Sequence, residues 1–251
     1  RSLDSFNANT SHDAQLYRSI HCSDILYDKG LYKQCEKLLK SAEKQAKKYE
    51  RFNLLLEIKQ KQKKLIENEL YTEIKAVQIT KMFEEEKTLI DEIKTDHQLW
   101  NVKSLLFQEI NIKGNVRNEQ DTLKLKELVD RISNINVKNY STKINYLYNH
   151  IYGAYYFSVN DLECSYHHLQ ANVNLLEDHS TTFKNRPNLY FSVLTNIIYI
   201  STRLKKYDEA EEYLFKLKRL SSDRKSQKTL DLDIKYFSSS SSLELFLLIE
   251  K

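Results

Sequence analysis

Apolar residues recur every three or four positions along almost the whole chain, the spacing of one buried face per α-helix. The pattern predicts helices near 11–28, 31–48, 50–68, 71–94, 97–113, 119–134, 141–158, 161–178, 187–204, 207–220, 224–237 and 243–250. Leu16, Ile20, Leu26 and Tyr27 mark the stripe of the first, and Leu123, Leu125, Leu128, Val129 and Ile132 that of the sixth. Residues 1–10 are polar and aperiodic, a lead-in that ends at a candidate N-cap, Thr10 or Ser11. Gly30, Gly114 and the cluster Asn185-Arg186-Pro187-Asn188 fall between periodic segments, where a left-handed residue or a helix-starting proline is useful. Residues 31–113 hold no Gly or Pro, so the break placed near Asn68 to Tyr71 rests on pattern alone, with one long helix as the alternative. The run Ser238 to Ser242 reads as a loop or frayed helix end. The apolar tail 243–250 reads as a capping helix, with an oligomer contact as its competitor.

Three segments align on one another without gaps. With Tyr32, Leu162 and Tyr207 in register, the small residues Cys35, Ser165 and Ala210 stand three positions on, and Leu39, Leu169 and Leu214 stand seven positions on. A small residue one turn into a helix lets a neighbouring helix approach, and the leucine a turn later fills the groove beside it. Ten residues before the anchors lie Cys22, Tyr152 and Ile197, each inside the preceding helix.

In this register the chain resembles a degenerate tetratricopeptide-repeat (TPR) protein. Tyr152-Gly153-Ala154-Tyr155-Tyr156 is similar to the signature of that family's first helix, and Leu162, Ser165 and Leu169 occupy the large, small, large positions of its second. Lys206 to Leu214 is the cleanest second-helix match, with Ile198 where the family has Gly. Gly30-Leu31-Tyr32, Cys35, Leu39 and Ala42 match in the first copy, with Ser23 in the Gly position. The family's trailing proline is missing. The anchors lie 130 and 45 residues apart, which a step of about 43 residues fits better than the family's 34. The resemblance implies an all-α, right-handed superhelical stack of antiparallel hairpins, a TPR-like α-solenoid. It is expected to occupy residues 11–251 as a single domain of about five hairpins.

Composition supports the class: three Gly and one Pro in 251 residues leave little room for the turns of a β-protein. A net charge of +4 from 39 basic and 35 acidic residues is a nearly balanced surface. Cys22, Cys35 and Cys164 lack any metal or disulfide spacing, which fits a reducing compartment, and no run approaches the roughly 20 apolar residues that cross a bilayer. A cytoplasmic location is the resulting expectation, with no membrane partner.

Candidate chemistry is sparse. Cys164 and His168 are spaced to offer two soft ligands, and His21-Cys22 a second pair, but the register puts His168 in a helix interface; no metal, cofactor or catalytic residue is assigned. No phosphate loop, nucleophile elbow or zincin motif occurs. Between Glu36 and Lys64 stand ten Lys/Arg against four Glu, ending in Lys59, Lys61, Lys63 and Lys64; a phosphate-binding face is one reading and a solvated face the other.

The expectation is therefore a non-catalytic scaffold that binds a protein or peptide segment. In TPR-like proteins the first helix of each hairpin lines the concave side, which here implicates Tyr17, Ile20, Asp24 and Tyr27 in the first copy. His150, Ala154 and Phe157 correspond in the second, and Thr195, Tyr199 and Arg203 in the third. The alternative is a regulatory or nucleic-acid-binding module using the basic 37–64 region.

Overall fold

The computed structural model describes residues 12–72, 74–114, 118–179, 187–222, 237–239 and Ser241. Among them every regular element is helical and no strand occurs. The elements are α1 (His12–Asp28), α2 (Tyr32–Lys48), α3 (Phe52–Asn68), α4 (Ala76–Lys113), α5 (Glu119–Asp130), a 3-10 turn (Val137–Asn139), α6 (Thr142–Ser158), α7 (Leu162–Asp178), α8 (Pro187–Arg203) and α9 (Tyr207–Ser222). The candidate cap at Thr10 or Ser11 and the helices expected at 224–237 and 243–250 lie outside the described residues, apart from Phe237. Within the serine run, residues 237–239 and Ser241 are helical, with Ser238 and Ser241 buried. The chain forms two compact units, Arg1–His97 and Gln98–Lys251.

The hairpin turns repeat one device. Gly30, Asn160 and Lys205 sit in the left-handed region at φ 70°, 64° and 61°. In each case the next residue's N–H reaches back to a carbonyl of the finished helix: Leu31 to Leu26, Asp161 to Tyr156, Lys206 to Ser201. This is the Schellman closure, which satisfies carbonyls that the helix end would leave open. The turn after α2 is built alike, with Glu50 at φ 52° and the Arg51 N–H bonded to the Ala46 carbonyl. Only Gly30 adopts this conformation without the steric cost that a Cβ imposes there.

After each turn the small residue does what its size allows. Cys35, Ser165 and Ala210 are at most 2% exposed, and Leu39, Leu169 and Leu214 are buried beside them. The Cys35 thiol donates to the Ser23 carbonyl at 3.2 Å and the Ser165 hydroxyl to the Gly153 carbonyl at 2.8 Å, each spanning two antiparallel helices twelve residues apart in sequence. Ala210 has no donor, and the matching Ile198 carbonyl instead accepts from Thr202 of its own helix at 2.9 Å. A Cβ on Gly153 would meet its neighbours no closer than 3.7 Å, an ordinary contact.

The α2, α4, α5, α7 and α9 helices begin at residues 32, 76, 119, 162 and 207, steps of 44, 43, 43 and 45 residues. The first helices of these hairpins begin at His12, Phe52, Thr142 and Pro187, and the one missing from that series is absorbed into α4. Here the expected pair of helices at 71–94 and 97–113 is corrected to a single 38-residue helix. Leu89, Glu92, Thr95, Leu99, Val102 and Leu106 form one unbroken line of buried positions through the expected break. The boundary between the two units, at His97, falls at this fused junction. A smaller correction concerns Leu123, expected in the stripe of α5 but 54% exposed, while Leu125, Leu128, Val129 and Ile132 are buried.

Candidate functional site

In the first unit, α1 and α3 run parallel and are held by ion pairs. Arg51 Nε bonds Asp13 at 2.5 Å, and Lys61 bonds Asp24. Asp24 is thus engaged with the next helix. Ile20 belongs to the core of α1 to α3 at 4% exposure. Tyr27 is half-buried with its ring edge-on to Tyr32, 5.5 Å between centroids, and Tyr17 is exposed at 60%.

The basic stretch is similarly consumed. Lys59 is buried and bonds Glu43 and Glu85, both at 2.8 Å; Lys63 pairs with Glu86 at 2.9 Å. Burial opposes ionisation of Glu43, but hydrogen bonds from Gln62, Lys47 and Lys59 outweigh it and hold its pKa down to about 2. Burial likewise disfavours the Lys59 charge, and its two carboxylate partners more than restore it. This cluster forms one wall of a cavity of about 510 Å³ between α2, α3 and the start of α4, floored by Leu65, Ile66, Ile74 and Met82. The polar groups on this wall face one another, so the cavity presents no unmatched charge from Lys59, Glu43 or Glu85.

The second unit assembles its first-helix layer from rings. His150 on α6 stacks against Phe107 on the C-terminal half of α4, 5.2 Å between centroids, and against Tyr146, 5.9 Å away. Phe157, two turns further along α6, meets Tyr199 of α8 edge-on at 6.1 Å, and the Arg203 guanidinium lies over the Tyr199 ring at 6.0 Å. Burial of His150, reinforced by the nearby charge of Lys103, lowers its pKa to about 4, so the ring is uncharged at neutral pH. Ala154 is half-buried within the same layer. Thr195 is half-buried, its hydroxyl donating to the Ser192 carbonyl at 3.0 Å. Tyr199 is 45% exposed and Arg203 is exposed.

The structure therefore brings Phe157, Tyr199 and Arg203 together, packs His150 on Phe107 and Tyr146, and engages Ile20 and Asp24 in contacts of their own unit. Sequence reasoning missed Phe107 and Lys103. Stepping back 43 residues from His150 reaches Phe107, so the repeat interval itself was the signal.

On the opposite side of α6, His168 stacks on Tyr152 and Tyr156 at 5.4 and 5.6 Å and bonds Asn149 at 2.9 Å. Its register in the helix interface is as the sequence indicates. Burial, with His167 adding to it, lowers its pKa. Cys164 sits at the start of α7, capped by Asp161, and no group of three metal-ligating side chains gathers among the described residues. None of the helices searched there is long and apolar enough to cross a membrane. No family model matches this chain, and neither a curated protein nor a solved structure does so.

Proposed function

We propose that this chain is a non-catalytic binding scaffold, and that the first-helix layer of its second unit is where a protein or peptide segment docks. The observation that carries the reading is the row Phe107, His150, Phe157, Tyr199 and Arg203. These side chains come from three helices whose relative positions are fixed by packing, and they end in a half-exposed tyrosine and an exposed arginine. Tyrosine and arginine combine a large apolar body with polar reach, the property that enriches both at the centres of protein interfaces. The hairpin register, with small residues at Cys35, Ser165 and Ala210, supports a TPR-like repeat with the right-handed stacking of that architecture, in which first helices line the receiving side.

The basic 37–64 region is the weaker reading, because Lys59, Lys61 and Lys63 already carry carboxylate partners. Phosphate binding would have to displace them.

A photo-cross-linking amino acid tests the assignment directly. Installed at Tyr199, it captures a discrete partner from native lysate; installed at Phe215, which is 61% exposed on the second helix α9, it does not. Capture from Phe215 with silence at Tyr199 overturns the proposal.

A further inference from the structure

The charge distribution of the second unit narrows the kind of partner, an inference that rests on the docking reading above. The helices α6 and α8 together span 34 residues without one Asp or Glu. Their companions hold the acids instead: Glu163, Glu177 and Asp178 on α7, and Asp208, Glu209, Glu211 and Glu212 on α9. Several are matched on that side, Glu163 to Lys206 at 2.6 Å, Glu177 to Lys216 at 3.2 Å and Glu212 to Lys216 at 3.0 Å.

On the first-helix layer the balance is reversed. Lys103 stands close enough to His150 to bear on its charge, and Arg203 lies over Tyr199; neither makes an ion pair among the described residues. The helix pair that carries the layer's rings is thus free of negative charge and flanked by two cations without carboxylate partners. Lys103 lies on α4 and Arg203 on α8, the helices whose rings meet those of α6 on either side.

We infer that this layer receives an acidic peptide segment, with carboxylate side chains meeting Lys103 and Arg203 and apolar residues between them resting on Phe157 and Tyr199. The α6 and α8 helices repel no carboxylate, and an exposed arginine presents the planar fork that a carboxylate matches. Single-stranded nucleic acid fits less well. Two cations are few for a chain with a phosphate at every nucleotide, and the rings are engaged with one another: His150 with Phe107 and Tyr146, Phe157 with Tyr199, Tyr199 with Arg203.

The probe is a display library of random short peptides selected on the full chain, with a labelled oligo-dT as competitor. Selection is expected to enrich peptides carrying two or more Asp or Glu, and the enriched peptides lose affinity about tenfold in R203Q and more in K103Q with R203Q, with unchanged melting temperatures. Repeating the selection on R203E with K103E is expected to abolish the acidic bias. Enrichment of neutral or basic peptides, or of acidic peptides indifferent to both glutamine variants, overturns the acidic partner while leaving peptide docking in place. Failure to enrich any peptide overturns docking as well. Displacement of the enriched peptides by oligo-dT at lower concentration than by the peptides themselves assigns the layer to nucleic acid.

Discussion

The two units use one helical register and fill it with different chemistry. In the first, the parallel helices α1 and α3 are joined by Asp13–Arg51 and Asp24–Lys61, and Lys59 is buried between two glutamates. In the second, the equivalent layer is joined by Phe107–His150 and Phe157–Tyr199. Charges that hold helices together are spent on one another, so the most basic part of the sequence offers little to an outside anion. The rings that hold these helices together leave Tyr199 partly open and Arg203 exposed. The difference teaches that a charge run in sequence is a poor guide to a binding surface unless its counter-charges are known.

The comparison breaks most sharply at the buried contacts. Ser165→Leu in the second unit forces a bulky side chain into a fully buried site and removes the bond to the Gly153 carbonyl. A loss of about 3 kcal/mol is expected in denaturant unfolding followed by Trp100, the only tryptophan. Lys59→Ala in the first unit leaves Glu43 and Glu85 without their common partner, at a cost of about 3 kcal/mol; a loss below about 1 kcal/mol would mean the pair is screened like a surface one.

Acid separates the units. The folded pKa of His150, about 4, lies below its ordinary 6.5, so its contribution is complete above pH 6.5 and is lost as the pH falls towards 4. The depressed Glu43 contributes fully above about 4.5, and that stability is lost as the pH falls through about 2. Trp100, in the second unit, should therefore report weakening between pH 6.5 and 4, by about 2 kcal/mol once the partly accessible ring is discounted for screening. His150→Phe should shrink that window to the part owed to His168, whose pKa burial also lowers, and leave the lower one intact.

The smallest effect is at the turns. Gly30→Ala should cost about 1 kcal/mol, and Lys205→Gly should add a similar amount by relieving a left-handed lysine, both read from thermal unfolding.

These turns also mark what sequence can carry. Gly30 announced its left-handed position, whereas Glu50, Asn160 and Lys205 adopt it under the pull of the helices they join. The small-then-leucine pairs at Cys35 and Leu39, Ser165 and Leu169, and Ala210 and Leu214 were legible because they are set by local spacing and all are buried. The fused helix α4 was not, since its buried line runs through the polar Glu92 and Thr95, where the apolar stripe lapses in sequence. For the proposed site, register placed His150, Phe157, Tyr199 and Arg203 on first helices, where the structure has them. It could not tell that Asp24 answers Lys61, 37 residues away, nor that Ile20 is core.

The central claim is that partners meet the first-helix layer of the second unit. Hydrogen–deuterium exchange on the full chain, with and without a peptide enriched by the display selection, tests it. Exchange is expected to slow in 142–158 and 187–203 and to stay unchanged in 32–68. Protection concentrated in 32–68, or in the second helices 162–178 and 207–222, would contradict it.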